Sequence, residues 1–259
     1  MQIFVFLSIV AVALAAPGPE KRIVNGYPAA LFAHPHQASL QVRSGTSWYH
    51  SCGGSIIARN KILTAAHCLQ GQSAANLRVE VGLLNLYDAN NGYKQTVSVA
   101  SFVIHASYNG NGAGIPNDIG IITLSTSLTL NSNVQIATLA PRGASFAGVR
   151  CYITGWGRTV GGGATSAQLL EARITKITTA DCAARWPGQN INIRHICVYE
   201  ASAASGSRPS ACNGDSGGPL VCNGYLAGIT SWGVSNCSGN YPSVYVRVSE
   251  YLDWIAARV

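Results

Sequence analysis

Short β-prone runs, in which apolar positions are interrupted by polar ones, recur along the chain between residues 38 and 248. They are Ala38–Arg43, Gly54–Ala58, Leu77–Gly82, Gln95–Ile104, Ile119–Leu124, Cys151–Gly155, Leu169–Ile177 and Tyr225–Ser231. Turn signals such as Asn91-Gly92, Asn109-Gly110 and Asn223-Gly224 separate them. Many short strands with turns at this spacing predict an all-β sandwich or a pair of barrels rather than alternating βα units. Only Glu250–Val259, with Tyr251, Trp254, Ile255 and Arg258 spaced by three and four, has helical periodicity, and a shorter helical turn is expected at Thr179–Ala184. Asn131–Arg142 lacks strong periodicity and is the expected linker between two β domains, about 23–132 and about 142–259.

From Ile3 to Ala16 the chain is apolar except for Ser8. That run is short of the ~20 residues needed to span a bilayer and matches the apolar region of a secretory leader. Ala13 and Ala15 supply the small-residue cleavage pattern, so 1–15 reads as a signal peptide and Ala16 as the new N-terminus. A buried N-terminal helix is the competing reading, and Met1-Gln2 carries none of the usual basic residues. Secretion changes the meaning of the eight cysteines. An oxidising compartment favours disulfides, and an even count leaves none obliged to stay free. Metal binding would want short Cys spacings, and no C-x-x-C occurs. Spacing alone leaves the pairing open.

Composition narrows the function class. With 47% hydrophobic and 10% charged residues in 259, a disordered chain is excluded. The net charge of +7 comes from scattered basic residues, Lys21-Arg22 being the adjacent pair, so a nucleic-acid stripe is not supported. No long apolar run follows the leader, which removes a multi-span membrane protein.

Three segments carry candidate chemistry. Leu63-Thr64-Ala65-Ala66-His67-Cys68 ends a β-prone run in a histidine among small residues. Asn117-Asp118-Ile119-Gly120-Ile121 puts an acid at the mouth of a buried-looking strand. Gly214-Asp215-Ser216-Gly217-Gly218-Pro219-Leu220 places a serine inside a glycine-rich turn. Each has an ordinary reading: a structural histidine, a turn aspartate, a plain loop. Jointly, in this order and in a secreted β-rich chain, they supply a base, an orienting carboxylate and a nucleophile.

With Ile23-Val24-Asn25-Gly26, Gly155-Trp156-Gly157 and Ser231-Trp232-Gly233 added, the chain resembles the chymotrypsin-like serine proteases from Ile23 to its C-terminal helix. The resemblance implies two antiparallel six-stranded Greek-key β-barrels with a C-terminal helix and the active site between the barrels. It makes Ser216 the nucleophile, His67 the base and Asp118 the residue that holds the imidazole tautomer. It gives the oxyanion hole to the N–H groups of Gly214 and Ser216, and puts Ser231 behind Asp118 with Trp232 beside it along the edge offered to substrate. The implied disulfides are Cys52–Cys68, Cys151–Cys222, Cys182–Cys197 and Cys212–Cys237. It also implies a zymogen: a propeptide 16–22 ending at Arg22, whose removal frees the Ile23 amine to pair with Asp215. His50 matches a position that holds this acid before activation in some members, or is a plain loop histidine.

The specificity-pocket positions match Ser210, Gly233 and Ser243. A serine where trypsin-like members carry aspartate disfavours Lys and Arg, because a buried cation would go unpaired. Leu, Met, Phe and Tyr are expected instead, with loops closest to the elastase type; a strong aromatic preference is the alternative. Calcium-binding members use two glutamates on the loop between residues 82 and 95, where this chain has Leu83 and Lys94, so no metal and no cofactor are expected. The expected partners are protein and peptide substrates, a trypsin-like or dibasic-specific activating protease and protein inhibitors. A monomer acting outside the cell, with no nucleic-acid or membrane partner, completes this reading. A non-catalytic binding homologue and a basic surface-binding module are the other classes to separate.

Overall fold

The computed structural model describes residues 23–88, 92–204 and 206–259; the expected leader 1–15, the expected propeptide 16–22 with Arg22, and Asn91 lie outside them. The first half forms β1 (Tyr27–Pro28), β2 (Gln37–Ser44), β3 (Ser47–Ala58), β4 (Lys61–Thr64), β5 (Leu77–Val81), β6 (Gln95–Ile104) and β7 (Gly120–Leu124). The second forms β8 (Arg150–Gly155), β9 (Leu170–Ile177), α1 (Thr179–Arg185), β10 (His195–Val198), β11 (Pro219–Cys222), β12 (Tyr225–Trp232), β13 (Ser243–Arg247) and α2 (Leu252–Ala256). Strands β2-β3-β4-β7-β6-β5 close into one antiparallel barrel. Strands β9-β10-β13-β12-β11-β8 close into a second, because β8 pairs with both β11 and β9. Closure removes exposed sheet edges, the usual route to strand aggregation.

Strands with clear patterning are those expected from the runs; β6 occupies the expected Gln95–Ile104 and buries Val97 and Val99 between exposed neighbours. Of the strands absent from those runs, β10 and β13 are short and buried throughout. His195–Val198 and Ser243–Arg247 have no exposed residue, so no alternation marks them. The C-terminal helix is also shorter than the expected 250–259: a 3₁₀ turn at Val248–Glu250 precedes α2 at Leu252–Ala256.

The division at residues 132–142 needs a correction at both ends. β1 pairs Tyr27 with Glu171 of β9, and Ile23 is buried in the second core with Ile153, Leu170 and Ala227. Conversely, Val248, Tyr251 and Ile255 are buried in the first core. Each end of the described chain crosses to the other barrel, because an amphipathic segment packs wherever an apolar face lies open, regardless of sequence proximity. The 131–142 segment has neither strand nor helix but is stitched across, with Ala137 N–H donating to Ile56 O and Ala140 N–H to Leu226 O.

Four disulfides close the chain: Cys52–Cys68, Cys151–Cys222, Cys182–Cys197 and Cys212–Cys237. They are the same four pairs that the resemblance implies. No helix among the described residues is long and apolar enough to cross a membrane.

Candidate active site

β4 delivers Thr64 and then a 3₁₀ turn, Ala66–Cys68, that presents His67. The disulfide from Cys68 to Cys52 on β3 pins this turn. Asp118 enters just before β7 and is fully buried. Its Oδ1 accepts the His67 backbone N–H at 2.8 Å, and its Oδ2 accepts His67 Nδ1–H at 2.7 Å. The Ser231 hydroxyl donates to Oδ2 at 2.6 Å. A buried carboxylate held by three donors stays in place, and the imidazole it holds turns Nε2 outward as an acceptor. Ser231 is the extra residue of a register shift in which Thr230 faces Tyr245 and Trp232 faces Val244 on β13. Such a bulge re-aims a side chain.

Asn117 takes a left-handed φ of +59°, a region asparagine tolerates better than most residues. Its Nδ2 donates to Ser107 O at 2.8 Å, while its Oδ1 accepts the Tyr251 hydroxyl at 3.0 Å. Asn117 therefore sets the direction from which Asp118 enters. In the sequence, its signal is its place directly before the acid.

Ser216 arrives from the other barrel. Its carbonyl accepts the Gly53 N–H at 2.7 Å, which ties the glycine turn to β3. Gly217, at φ +76°, lies so close that a side chain would strike the Thr64 hydroxyl and the Gly53 carbonyl. The glycines here let the serine turn pack against the segment that leads to His67. Gly155 and Gly157 have a similar reason, since a Cβ on either would strike the Asp215 carboxylate.

Asp215 is buried, with Gly157 N–H donating to Oδ1 at 2.8 Å and Cys212 N–H to Oδ2 at 2.9 Å. No cation lies within ion-pair distance of it among the described residues. Burial pushes its carboxyl up to about 6, against the pull of those two amides. Gly214 has φ +97°, and its carbonyl lies 2.9 Å from His50 Nε2, whose Nδ1 lies 2.8 Å from Ser39 Oγ. Burial pushes His50 down to about 4, so at neutral pH one ring nitrogen accepts the Ser39 hydroxyl and Nε2–H donates to Gly214 O. The N–H groups of Gly214 and Ser216 donate to no protein group among the described residues, and both remain available to an incoming oxygen.

A cavity of about 220 Å³ is lined by Ser216, Ser231, Trp232, Gly233, Ala211 and Asn213, among others, and no lining residue is acidic. Ser210 and Ser243 are buried and are not among the residues that line it. The Ser210 hydroxyl donates to Cys237 O at 2.8 Å, and a Cβ on Gly233 would sit 3.9 Å from Ser243 Cα.

One group among the described residues could gather three metal ligands: Cys52, His67 and Cys68. The cysteines are joined as a disulfide and His67 is held by Asp118, so the donor set is already committed. Leu83 is buried against Trp156 and Leu169. Lys94 pairs with the buried Glu80 at 3.0 Å, as does Arg78 at 3.0 Å.

The sequence profile of the family described as Trypsin matches residues 23–255. The chain belongs to the trypsin family. It is a serine protease, and so a hydrolase. A chymotrypsin-like serine proteinase of Haliotis rufescens is 42% identical over 96% of this chain and 95% of its own. The bovine (Bos taurus) protein named chymotrypsin-like elastase family member 1 is 38% identical over 98% of this chain and 97% of its own. Trypsin I-P1 of Gallus gallus is also 38% identical, with the same shares covered. These trypsin-family relatives carry names of differing specificity, so they do not by themselves choose a substrate.

Proposed function

We propose that the chain is a secreted serine endopeptidase, made as a zymogen, that cleaves after medium to large apolar residues. Ser216 attacks the peptide carbonyl while His67 Nε2 takes its proton; Asp118 holds the tautomer and stabilises the imidazolium. His67 then returns the proton to the leaving amine, and water hydrolyses the acyl-enzyme. The N–H groups of Gly214 and Ser216 receive the oxyanion, each such donor stabilising the transition state by about 2.7–4 kcal/mol.

The observation that carries the substrate preference is the neutrality of the cavity beside Ser216. No carboxylate lines it, and the Ser210 hydroxyl is engaged with Cys237 O. A Lys or Arg side chain entering it would lose water without gaining a counter-charge. Apolar side chains meet no such penalty, and this favours the relatives named for chymotrypsin-like and elastase-like activity over those named trypsin.

Activation draws on Ile23 and Asp215. Ile23 is buried at φ +51°, a strained region for a β-branched residue. Cutting after Arg22 removes the peptide unit that defines this torsion and creates an ammonium for the unpaired carboxylate. A pocket without a carboxylate suits Arg22 poorly, so a separate trypsin-like protease performs the cut. The test is to activate the purified chain with trypsin, remove the trypsin, and map cleavage sites in a denatured protein mixture. Cuts after Leu, Met, Phe and Tyr are expected. Cuts confined to Lys and Arg would refute the substrate reading, and cuts confined to aromatic residues would narrow it.

A further inference from the structure

Away from the catalytic cleft, a second cavity of about 320 Å³ lies where the end of β9, the start of α1 and the end of β13 meet the 143–147 loop. Lys176, Arg247, Thr179, Ser145 and Glu250 reach it. Lys176 is 2% exposed and Arg247 8% exposed. Neither has a carboxylate within ion-pair distance among the described residues.

Arg247 directs its donors to neutral oxygens. Nε and Nη2 donate to His195 O at 3.2 and 3.0 Å, Nη2 also to Thr179 Oγ1 at 3.2 Å, and Nη1 to Ala144 O at 3.3 Å. A guanidinium has five N–H donors, so one on Nη1 is left over. The Lys176 ammonium has no hydrogen-bond acceptor among the described residues; burial and the neighbouring guanidinium push it down to about 8. Glu250 is the acid at this cavity, and its Oε1 is 3.4 Å from the Ser249 hydroxyl. Two buried cations thus outnumber one half-buried carboxylate.

Burying cations side by side without counter-charges is costly, and a methionine in place of Lys176 would fill the same space without that cost. A lysine whose ammonium opens into a cavity beside a guanidinium is suited to a negative ligand. We propose that this cavity binds a tetrahedral oxyanion, a sulfate or phosphate group, between Lys176 and Arg247, with the Thr179 and Ser145 hydroxyls as further donors. Several acceptor oxygens on one centre suit a point-charge ammonium and a planar guanidinium converging from two strands. The group arrives either as a free ion or as the sulfate ester of a polysaccharide, and the same donors recognise both.

The experiment uses the full, uncut chain with Ser216→Ala in every sample, so that self-digestion plays no part. Sodium sulfate, inorganic phosphate and a fully sulfated oligosaccharide are titrated by calorimetry at ionic strength matched with sodium chloride. Saturable binding at one site per chain is expected, weakened at least tenfold by Lys176→Met, with that variant melting no lower than its parent without ligand. Ser145→Asp, an exposed change at the mouth, is expected to weaken binding as strongly without touching the core. Preference for the oligosaccharide assigns the polysaccharide source, and equal affinity for simple sulfate assigns the free ion; either supports the site. Absence of saturable binding with all three probes, or undiminished binding in both variants, overturns it.

Discussion

Replacing Asp215 by Asn should flatten the pH dependence of the uncut chain's stability while preventing the cut chain from becoming active. The carboxyl is pushed from an ordinary 3.8 up to about 6 by burial. At neutral pH that difference corresponds to about 3 kcal/mol against folding. The sign follows from proton binding. An acid whose folded pKa lies above its unfolded value holds its proton more tightly when folded. Stability is therefore greatest below pH 3.8, falls as pH rises toward about 6, and levels off beyond. A carboxamide cannot ionise, so this decline disappears in Asp215→Asn. An amide offers its one accepting oxygen to either Gly157 N–H or Cys212 N–H and turns its NH2 toward the other donor, which costs the variant about 1–3 kcal/mol at every pH. Between pH 3.8 and pH 7 the parent should lose about 3 kcal/mol relative to the variant, the cost of the ionised group. His36 and His50, both held down to about 4 by burial, act in the opposite sense, losing stability as pH falls from 6.5 toward 4. They are common to both chains and cancel in the comparison. Urea unfolding of uncut parent and variant between pH 3.5 and 7.5, both carrying Ser216→Ala, measures the difference directly. A difference between the two chains that does not change with pH would refute this reading of Asp215. After trypsin cleavage the Asp215 chain should gain stability from the new ammonium and the variant should gain none.

Ser216→Ala should abolish labelling by a fluorophosphonate and lower kcat by at least about 10³-fold, with peptide affinity changed only a few-fold; activity within tenfold of the parent would remove Ser216 as nucleophile. Gly233→Val should fill the cavity that Gly233 lines, since a Cβ there meets only Ser243 Cα, at 3.9 Å, and the two methyls take up open space. Hydrolysis after Phe should then fall at least a hundredfold while hydrolysis after Ala persists, measured as kcat/KM on paired peptides. Lys94→Met should lower stability by about 1–3 kcal/mol by leaving Glu80, 1% exposed, with less compensation. The melting temperature of the unaltered chain should be indifferent to a calcium chelator, and a large drop would reveal an ion bound to the 82–95 loop.

The residue order carried much of this protein. Alternating positions mark strands such as Gln95–Ile104, because a half-buried strand must alternate to bury one face. The glycines around Ser216 and on both sides of Trp156 were visible as motifs, but their reason was not. They are glycines because Thr64 and Gly53 from one barrel, and the Asp215 carboxylate from the other, occupy the space of a side chain. Strands His195–Val198 and Ser243–Arg247 were silent for the converse reason, being buried on both faces with no alternation to read. The types and order of the candidate residues were therefore set locally, by turn chemistry and side-chain reactivity. What only the tertiary structure decided are the contacts made across the chain. They include the bulge that turns Ser231 onto Asp118, the crossing of each end of the described chain onto the opposite barrel, and the hydrogen bond of Ser210 to Cys237 O. They also include the meeting of Lys176 with Arg247 around one space. These depend on two barrels closing and packing together, and a contact between residues far apart in sequence leaves no periodic trace in either segment.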